Sequence, residues 1–216
     1  MAMKEVTLTI DGREVTAAQG ETVLWTALDN DIYIPNLCAI REAPEVSASC
    51  RLCFVEVEGK SRPVTACTEP VDEGMVVNTR GESSTQLART ALELLLASHD
   101  VDCKNCSANG SCELQRAARH LGVKLKTKRL KKLVRDLPVD DSSPIFIYDP
   151  NKCVLCGKCV WKCREQGIGA IGFAYRGFER MVTSYGGQPI GQSQCNQCRE
   201  CVEICPVGAL SLKENK

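Results

Sequence analysis

The sequence has 216 residues, which is enough for one or two domains of ordinary size. Lys plus Arg and Asp plus Glu number 27 each, so no overall charge favours binding to nucleic acid or to an acidic membrane surface. Aromatic residues make up only 5% of the chain whereas Cys occurs 15 times, which favours small metal-stapled units over one large aromatic core.

The N-terminal residues contain no apolar signal-peptide core, and no apolar run approaches the roughly 20 residues of a membrane span. We therefore expect no direct membrane insertion. The odd number of Cys also argues against a closed set of disulfides. A reducing, cytoplasmic location with metal-bound thiolates is the better interpretation.

Residues 1–80 have the pattern of a small mixed domain. Two alternating runs, at residues 6–10 and 13–17, flank Asp11-Gly12 and predict a β-hairpin. Thr22 is a candidate N-cap for a helix whose apolar positions follow the 3.6-residue period. Further strands are predicted at 54–57, 64–66 and 76–77, with a turn at Gly59-Lys60. This order indicates a β-grasp, ferredoxin-like domain.

Four Cys in this domain have 11, 2 and 13 residues between successive members: Cys38, Cys50, Cys53 and Cys67. Thiolate sulfur is soft and suits iron–sulfur clusters. A plant-type ferredoxin has four residues in the first gap, so the match to that class is incomplete. The longer gap, with Ile34-Pro35 upstream and Val55-Glu56-Val57 downstream, resembles the [2Fe–2S] domain that begins the large iron–sulfur subunit of respiratory complex I. The resemblance implies one [2Fe–2S] cluster, and four buried structural Cys are the alternative.

The clearest helix is predicted over residues 82–98. Its expected buried stripe consists of Leu87, Thr90, Ala91, Leu94 and Leu95. One His and three Cys follow the helix at short spacing, namely His99, Cys103, Cys106 and Cys112. This set also resembles complex I and its hydrogenase relatives, where one [4Fe–4S] cluster has a His ligand. A Cys3His zinc site is the alternative. His120 has no Cys at ligand spacing and is expected to be structural or exposed.

A short helix is predicted from residue 112 to about His120, with Gly122 as its stop. Residues 124–135 then carry seven basic side chains with no aromatic residue between them, which is weak support for a nucleic-acid site. A solvated linker, or a docking face for an acidic partner, is the preferred interpretation. The Pro- and Asp-rich residues 136–144 complete a predicted connector over residues 123–145.

Two runs of Cys with the same spacing dominate residues 146–216. The first run is Cys153, Cys156, Cys159 and Cys163, and the second is Cys195, Cys198, Cys201 and Cys205. This spacing resembles bacterial-type two-cluster ferredoxins, in which the fourth Cys of each run binds the other run's cluster. The resemblance implies one [4Fe–4S] cluster on Cys153, Cys156, Cys159 and Cys205, and another on Cys195, Cys198, Cys201 and Cys163. A pair of zinc sites fits this spacing poorly.

The connection between the two runs is longer than in compact two-cluster ferredoxins. It has 31 residues between Cys163 and Cys195, and it is predicted to contain a short hairpin. Cys205 is followed by Pro206, as is usual in these ferredoxins, but Cys163 is followed by Arg164. The backbone near Cys163 is therefore expected to depart from the ferredoxin pattern while ligation is kept.

These sets use all 15 Cys, and if each site fills the chain holds about 14 iron atoms, in one [2Fe–2S] and three [4Fe–4S] clusters. The sequence has no nucleotide-binding glycine loop, no flavin motif and no Ser/His/Asp set. Because cofactors carry the redox chemistry, four clusters in one small chain favour electron conduction over substrate turnover. We therefore predict no catalytic residue.

Nearly the whole chain resembles the N-terminal part of the complex I large iron–sulfur subunit. It is most similar in layout to the stand-alone diaphorase iron–sulfur subunit of soluble NAD-reducing hydrogenases, and to the region that precedes the active-site domain of iron-only and electron-bifurcating hydrogenases. The resemblance implies an α+β fold with three cluster domains, over residues 1–80, 81–122 and 146–216.

The resemblance also implies partners. The chain would be a non-catalytic electron-relay subunit in a hetero-oligomer. It would dock a flavin- and NAD(P)-binding iron–sulfur subunit, and it would exchange electrons with a second redox subunit or a ferredoxin. The alternatives are an independent ferredoxin-like electron carrier and a zinc-stapled scaffold.

Overall fold

The computed structural model describes residues 4–126 and 129–213. The chain divides into two units. One comprises residues up to 94 together with 117–124, and the other comprises residues 95–116 together with those from 125 onward.

A five-stranded mixed sheet organises the first unit. Its strands are β1 (Glu5–Ile10), β2 (Arg13–Ala18), β3 (Phe54–Val57), β4 (Val64–Thr65) and β5 (Val76–Asn78), in the order β2-β1-β5-β3-β4. β1 and β5 run parallel, and the other neighbours are antiparallel. Asp11 and Gly12 close the first hairpin with φ of 51° and 79°, the paired positive values of a type I′ turn. The predicted strands and their connecting turn are confirmed.

Helix α1 (Val23–Asp29) supplies the other side of this core. The hydroxyl of Thr22 accepts a hydrogen bond from the main-chain N–H of Trp25 at 3.5 Å, as expected for an N-cap. Val23, Leu24 and Ala27 are fully buried in the same apolar cluster as the inward residues of β1 and β3. Hairpin, helix and further strands therefore form the predicted α+β arrangement.

Helix α2 (Glu82–Ser98) has the predicted bounds but buries a different face. Leu87 and Leu94, placed on the predicted buried stripe, are 42% and 56% exposed. The residues that the helix buries are Ser84, Ala88, Leu92, Leu96 and Ala97. The prediction of a buried stripe through Leu87, Thr90, Ala91, Leu94 and Leu95 was therefore wrong.

The first turn of α2 gives the physical reason. The main-chain N–H of Ser84 donates to Oε1 of Glu56 at 3.1 Å, and the Ser84 hydroxyl donates to the carbonyl of Gly81. A Cβ at Gly81 would overlap the Glu56 carboxylate, so glycine permits this approach. A carboxylate satisfies a free N–H at a helix N-terminus and interacts favourably with the helix dipole. Ser84 is thereby turned inward, and Ala88 and Leu92 follow it at four-residue steps.

We expect Glu56→Ala to lower the free energy of unfolding by about 1 kcal/mol, because it removes this cap. Urea unfolding followed by circular dichroism at 222 nm measures the change. Glu58→Ala is the matched control, since Glu58 follows two residues later and is exposed. Equal loss in both variants would contradict a capping role for Glu56.

Helix α3 (Glu113–Leu121) follows a short 3-10 turn at Cys103–Asn105. Gly122 has φ of 66°, and its N–H bonds to the carbonyl of Arg119 at 3.3 Å, which ends the helix as predicted. The basic stretch that follows has neither helix nor strand in residues 124–126 and 129–135. Thr127 and Lys128 lie outside the described residues.

Two small sheets, two α-helices and several short 3-10 turns follow in the described residues of the second unit. Strand β6 (Phe146–Tyr148) pairs antiparallel with β9 (Leu210–Leu212), so the two ends of this region meet. Helices α4 (Lys158–Glu165) and α5 (Glu200–Glu203) each follow a Cys loop. Between them, β7 (Ile171–Ala174) and β8 (Met181–Ser184) form the hairpin predicted for the long connection.

Candidate metal centres

The four Cys of the first unit lie together in a buried loop region beside β3 and β4. Sγ of Cys38 and Sγ of Cys50 are 3.4 Å apart. Cys53 directly precedes β3 and Cys67 lies two residues after β4; the N–H of Ala66 bonds to the carbonyl of Cys53 at 2.8 Å. All four side chains are at most 6% exposed. The strand pair thus delivers two of the thiols, and the loop over residues 38–50 delivers the other two.

The pKa values of these thiols indicate that the site does not favour four thiolates unless positively charged iron is bound. Hydrogen bonding to Cys38, together with burial, raises the pKa of Cys50. Hydrogen bonding to Cys67, together with burial, raises the pKa of Cys53. Four neighbouring thiolates are unfavourable in an apolar site unless a metal compensates their charge. The donor set therefore suits iron, which binds cysteine as thiolate.

The loop between Cys38 and Cys53 uses the left-handed backbone region. Ala48 has φ of 44° and Arg51 has φ of 56°. Non-glycine residues adopt this region at a cost of about 1 kcal/mol each. The strain accompanies a turn that brings the N–H of Cys50 to 3.5 Å from Sγ of Cys38.

His99 lies directly after α2 and is only 7% exposed. Burial lowers the pKa of its imidazole, so the ring is neutral, as a metal ligand must be. Its Nδ1 is buried and has no hydrogen-bond partner among the described residues, and the main chain of Lys152 lies beside the ring. A His ligand binds metal through a ring nitrogen with a free lone pair, while other contacts of the ring fix its orientation. The buried Nδ1 of His99 meets this description.

Three Cys accompany His99 in the second unit. Cys103 begins the 3-10 turn, the N–H of Cys106 bonds to the carbonyl of Cys103 at 3.3 Å, and Cys112 precedes α3. Burial raises the pKa of Cys112, and the charges of Cys106 and Cys103 add to the increase. The three thiols are therefore neighbours. The Lys152 ammonium is close enough to Cys106 to interact with its charge. Lys152 therefore neighbours both His99 and one of the three thiols.

Gly208 is a site residue that the sequence patterns did not single out. A Cβ on Gly208 would overlap Sγ of Cys106. The N–H of Glu113 also bonds to the carbonyl of Pro206 at 2.9 Å, which holds the same segment against this site. The residues after Cys205 therefore pack directly on the Cys set that follows His99. The only signal in the sequence was the glycine of Cys205-Pro206-Val207-Gly208.

The two Cys runs of the second unit fold into loops with the same backbone pattern. In the first loop Leu155 and Gly157 have φ of 54° and 81°, and in the second Gln197 and Arg199 have φ of 62° and 69°. The N–H of Leu155 donates to Sγ of Cys153, and the N–H of Gln197 donates to Sγ of Cys195, both at 3.4 Å. Each loop thus curls around its first sulfur and then enters a helix.

The fourth Cys of each run lies with the other run. Burial raises the pKa of Cys153 to about 11, and the charge of Cys205 adds to the increase. Burial likewise raises the pKa of Cys201 to about 12, with further increases from Cys195, Cys198 and Cys163. A cavity is lined by these four thiols and by apolar side chains that include Ile171 and Leu210. The structure thus places Cys205 near Cys153 and places Cys163 with the second run, while the crossed ligation that the resemblance implies stays a prediction.

The residue after each fourth Cys accounts for a difference between the two halves. Arg164 continues α4 for two residues beyond Cys163, whereas α5 ends at Glu203, shortly before Pro206. Proline lacks the N–H that a helix interior needs. The departure expected near Cys163 is therefore a longer helix, and the N–H of Ala170 returns to Sγ of Cys163 at 3.2 Å.

Individual ligand assignments stay a prediction. All 15 Cys are free thiols. Within residues 4–126 and 129–213, no three His, Cys, Asp or Glu side chains are arranged to chelate a single metal ion. His120 is exposed and packs edge-on against the ring of Tyr33 with centroids 5.1 Å apart, which agrees with its predicted structural role. None of the described helices is long and apolar enough to cross a membrane.

Three protein-family models match successive parts of the chain. Residues 3–82 match a 2Fe-2S iron-sulfur cluster binding domain. Residues 89–126 match the NADH-ubiquinone oxidoreductase-G iron-sulfur binding region. Residues 152–209 match a 4Fe-4S dicluster domain. Binding domains for [2Fe–2S] and [4Fe–4S] clusters are therefore present, while the exact domain bounds predicted from sequence stay a prediction.

Relatives with similar sequences cover almost all of the chain. It is 38% identical over 216 residues to NADPH-Fe(3+) oxidoreductase subunit alpha of Geobacter sulfurreducens, covering 98% of this chain and 24% of that protein. It is 36% identical over 222 residues to NADP-reducing hydrogenase subunit HndD of Solidesulfovibrio fructosivorans, covering 96% of this chain and 36% of that protein. The chain thus spans about a quarter to a third of the length of these curated relatives.

A solved structure matches over nearly its full length. One chain in a crystal structure of the NAD+-reducing [NiFe]-hydrogenase superposes with a TM-score of 0.86 at 33% identity. The match covers 97% of this chain and 88% of that chain. The protein therefore belongs to the family of iron–sulfur proteins that includes this hydrogenase chain and the proteins that carry the NADH-ubiquinone oxidoreductase-G iron-sulfur binding region.

Proposed function

We propose that this chain is a non-catalytic electron-relay subunit of a multi-subunit NAD(P)-linked oxidoreductase. The observation that carries the proposal is the crossed grouping of Cys205 with the first run and of Cys163 with the second. With the sets at Cys38 and His99, this grouping leaves no Cys for any other metal centre. One [2Fe–2S] and three [4Fe–4S] clusters would occupy the four sets and supply one-electron transfer when bound.

The protein's own contribution is to hold the sulfurs, exclude water and donate hydrogen bonds. Main-chain N–H groups of Leu155, Ala170 and Gln197 point at cysteine sulfurs. Such bonds stabilise the more negative, reduced state of a cluster and raise its potential. The sets differ in exposure. Cys38 and its three partners are buried, whereas Cys198 is exposed. This difference supports the second run as a point of electron exit or entry.

The proposed partners are a flavin- and NAD(P)-binding iron–sulfur subunit and a second redox subunit or ferredoxin, in a cytoplasmic hetero-oligomer. The β7–β8 hairpin supports a protein contact on the second unit. Tyr175, Phe178 and Tyr185 are 70%, 85% and 95% exposed there. Exposed aromatic groups are enriched in protein interfaces and costly to leave in water.

Purification without oxygen tests the proposal. We expect about 14 iron atoms per chain with matching sulfide, and a flavin protein in fixed stoichiometry. Zinc in place of iron would overturn the electron-relay function. A lone monomer with full iron would instead favour an independent electron carrier over a subunit.

His99→Cys tests the mixed ligand set. We expect the variant to keep its cluster but at a more negative potential, because a thiolate makes the site more anionic than a neutral imidazole does. Redox titration followed by electron paramagnetic resonance measures the change. His120→Cys is the control, since His120 lies on the surface. Identical spectra and potentials in wild type and His99→Cys would show that His99 is not a ligand.

A further inference from the structure

Tyr148 lies near Cys153 and Cys205, the first and last residues of the first predicted cluster set. It lies on β6, pairs with Leu210 of β9 and is 5% exposed. β6 leads through Pro150–Lys152 into Cys153, and β9 follows the segment that begins at Cys205. The strand pair therefore places the Tyr148 ring beside sulfurs from both runs, in the same apolar cluster as Cys159.

The hydroxyl of Tyr148 has no conventional partner. It is fully buried and forms no hydrogen bond with any described residue, sulfur atoms included. A buried hydroxyl without a partner costs about 1–3 kcal/mol, so native structures rarely leave one unsatisfied. Tyr148 and Cys153 line the same cavity, and both pack in the apolar cluster that contains Cys159.

The chemistry of the two groups decides which of them would donate the hydrogen bond. A phenol keeps its proton at neutral pH, whereas a thiolate sulfur can only accept a hydrogen bond. The hydroxyl is therefore protonated and acts as a donor toward a thiolate. Both sulfur and hydroxyl gain from one hydrogen bond once Cys153 is ionised, as it is when it binds iron.

We propose that the Tyr148 hydroxyl donates a hydrogen bond to Sγ of Cys153 and raises the potential of the cluster held by Cys153, Cys156, Cys159 and Cys205. The proposal rests on the electron-relay function above. A hydrogen bond to a ligand sulfur stabilises the reduced cluster, whose sulfurs carry more negative charge. Tyr148 is therefore a positioning residue, because it acts on the redox potential of the cluster through Cys153.

Tyr148→Phe in the full chain, loaded with its clusters and kept without oxygen, tests this. Redox titration followed by electron paramagnetic resonance should show one [4Fe–4S] midpoint moved to a more negative potential, with the other midpoints and the iron content unchanged. Tyr185→Phe makes the same chemical change on a side chain that is 95% exposed, and it should leave every midpoint in place.

Unchanged midpoints in Tyr148→Phe with full iron would overturn the hydrogen bond but leave the relay function standing. Wild-type protein without low-potential [4Fe–4S] signals would overturn the relay function itself. If Tyr148→Phe loses iron, 3,5-difluorotyrosine placed at position 148 gives the second measurement. Its hydroxyl is a stronger donor at a pH where it stays protonated, so the same midpoint should rise, and a constant midpoint would again overturn the proposal.

Discussion

Gly208→Ala is expected to cost the chain about four iron atoms, those of the His99 cluster. The added methyl group would overlap Sγ of Cys106. Neither side can move away easily, because the Pro206 carbonyl is hydrogen-bonded to the N–H of Glu113 and Cys205 packs near Cys153. Inserting a methyl group into a packed site costs about 1–3 kcal/mol in strain. A thiolate displaced from ligand distance loses its iron.

Iron analysis and electron paramagnetic resonance of the reduced protein measure this loss. Gly172→Ala is the control, because Gly172 lies on β7 and a Cβ there would meet no atom of the described residues within 4 Å. It should keep all of its iron. Full iron and an unchanged spectrum for the His99 cluster in Gly208→Ala would mean that Cys106 does not bind iron from this position.

Several features of the fold were predictable because they depend on residues that are close together in the sequence. The Asp11-Gly12 turn, the cap at Thr22 and the stop at Gly122 each depend on residues adjacent in sequence. The spacing of each Cys run is likewise short-range, and the two loops fold alike because their sequences share that spacing. The crossed grouping was predictable only through the resemblance to two-cluster ferredoxins.

The buried face of α2 shows where local reasoning ends. Residues 94–96 are three consecutive leucines, so an apolar stripe can be drawn on more than one side of the helix. The choice is made by Glu56, which lies 28 residues before Ser84 and bonds to its N–H. No periodicity within the helix contains that information. Gly208 against Cys106 and Tyr148 beside Cys153 are likewise contacts between segments distant in sequence.

These contacts also bear on how the sets of the second unit relate to one another. Lys152, one residue before Cys153, lies beside the His99 ring, and the N–H of Asp100 bonds to the carbonyl of Asn151 at 2.8 Å. Gly208, three residues after Cys205, packs on Cys106. The first Cys run and its crossed partner are therefore both joined to the His99 set by segments of a few residues. Short covalent segments and tight packing keep donor and acceptor groups at fixed separation, which a relay requires and a zinc-stapled scaffold does not.

The crossed ligand sets make a second prediction of large effect, on pairs of Cys. Cys153→Ala should remove one [4Fe–4S] cluster, about four iron atoms. Adding Cys205→Ala should cause no further loss, because both residues serve the same cluster. Adding Cys163→Ala instead should remove a second cluster, for a total of about eight iron atoms. Changes at residues that act as one unit are strongly non-additive, so the pairwise comparison identifies shared ligation.

The reciprocal pairs provide the control within the same protein. Cys195→Ala combined with Cys163→Ala should lose about four iron atoms, and combined with Cys205→Ala about eight. General destabilisation would make both double variants lose more iron than either single variant. With crossed ligation, one double variant in each half loses no more iron than the single variants do. If the silent partners were instead Cys163 with Cys153 and Cys205 with Cys195, each run would bind its own cluster. That result would contradict the crossed arrangement, and with it the pairing of each loop with the fourth Cys of the other run.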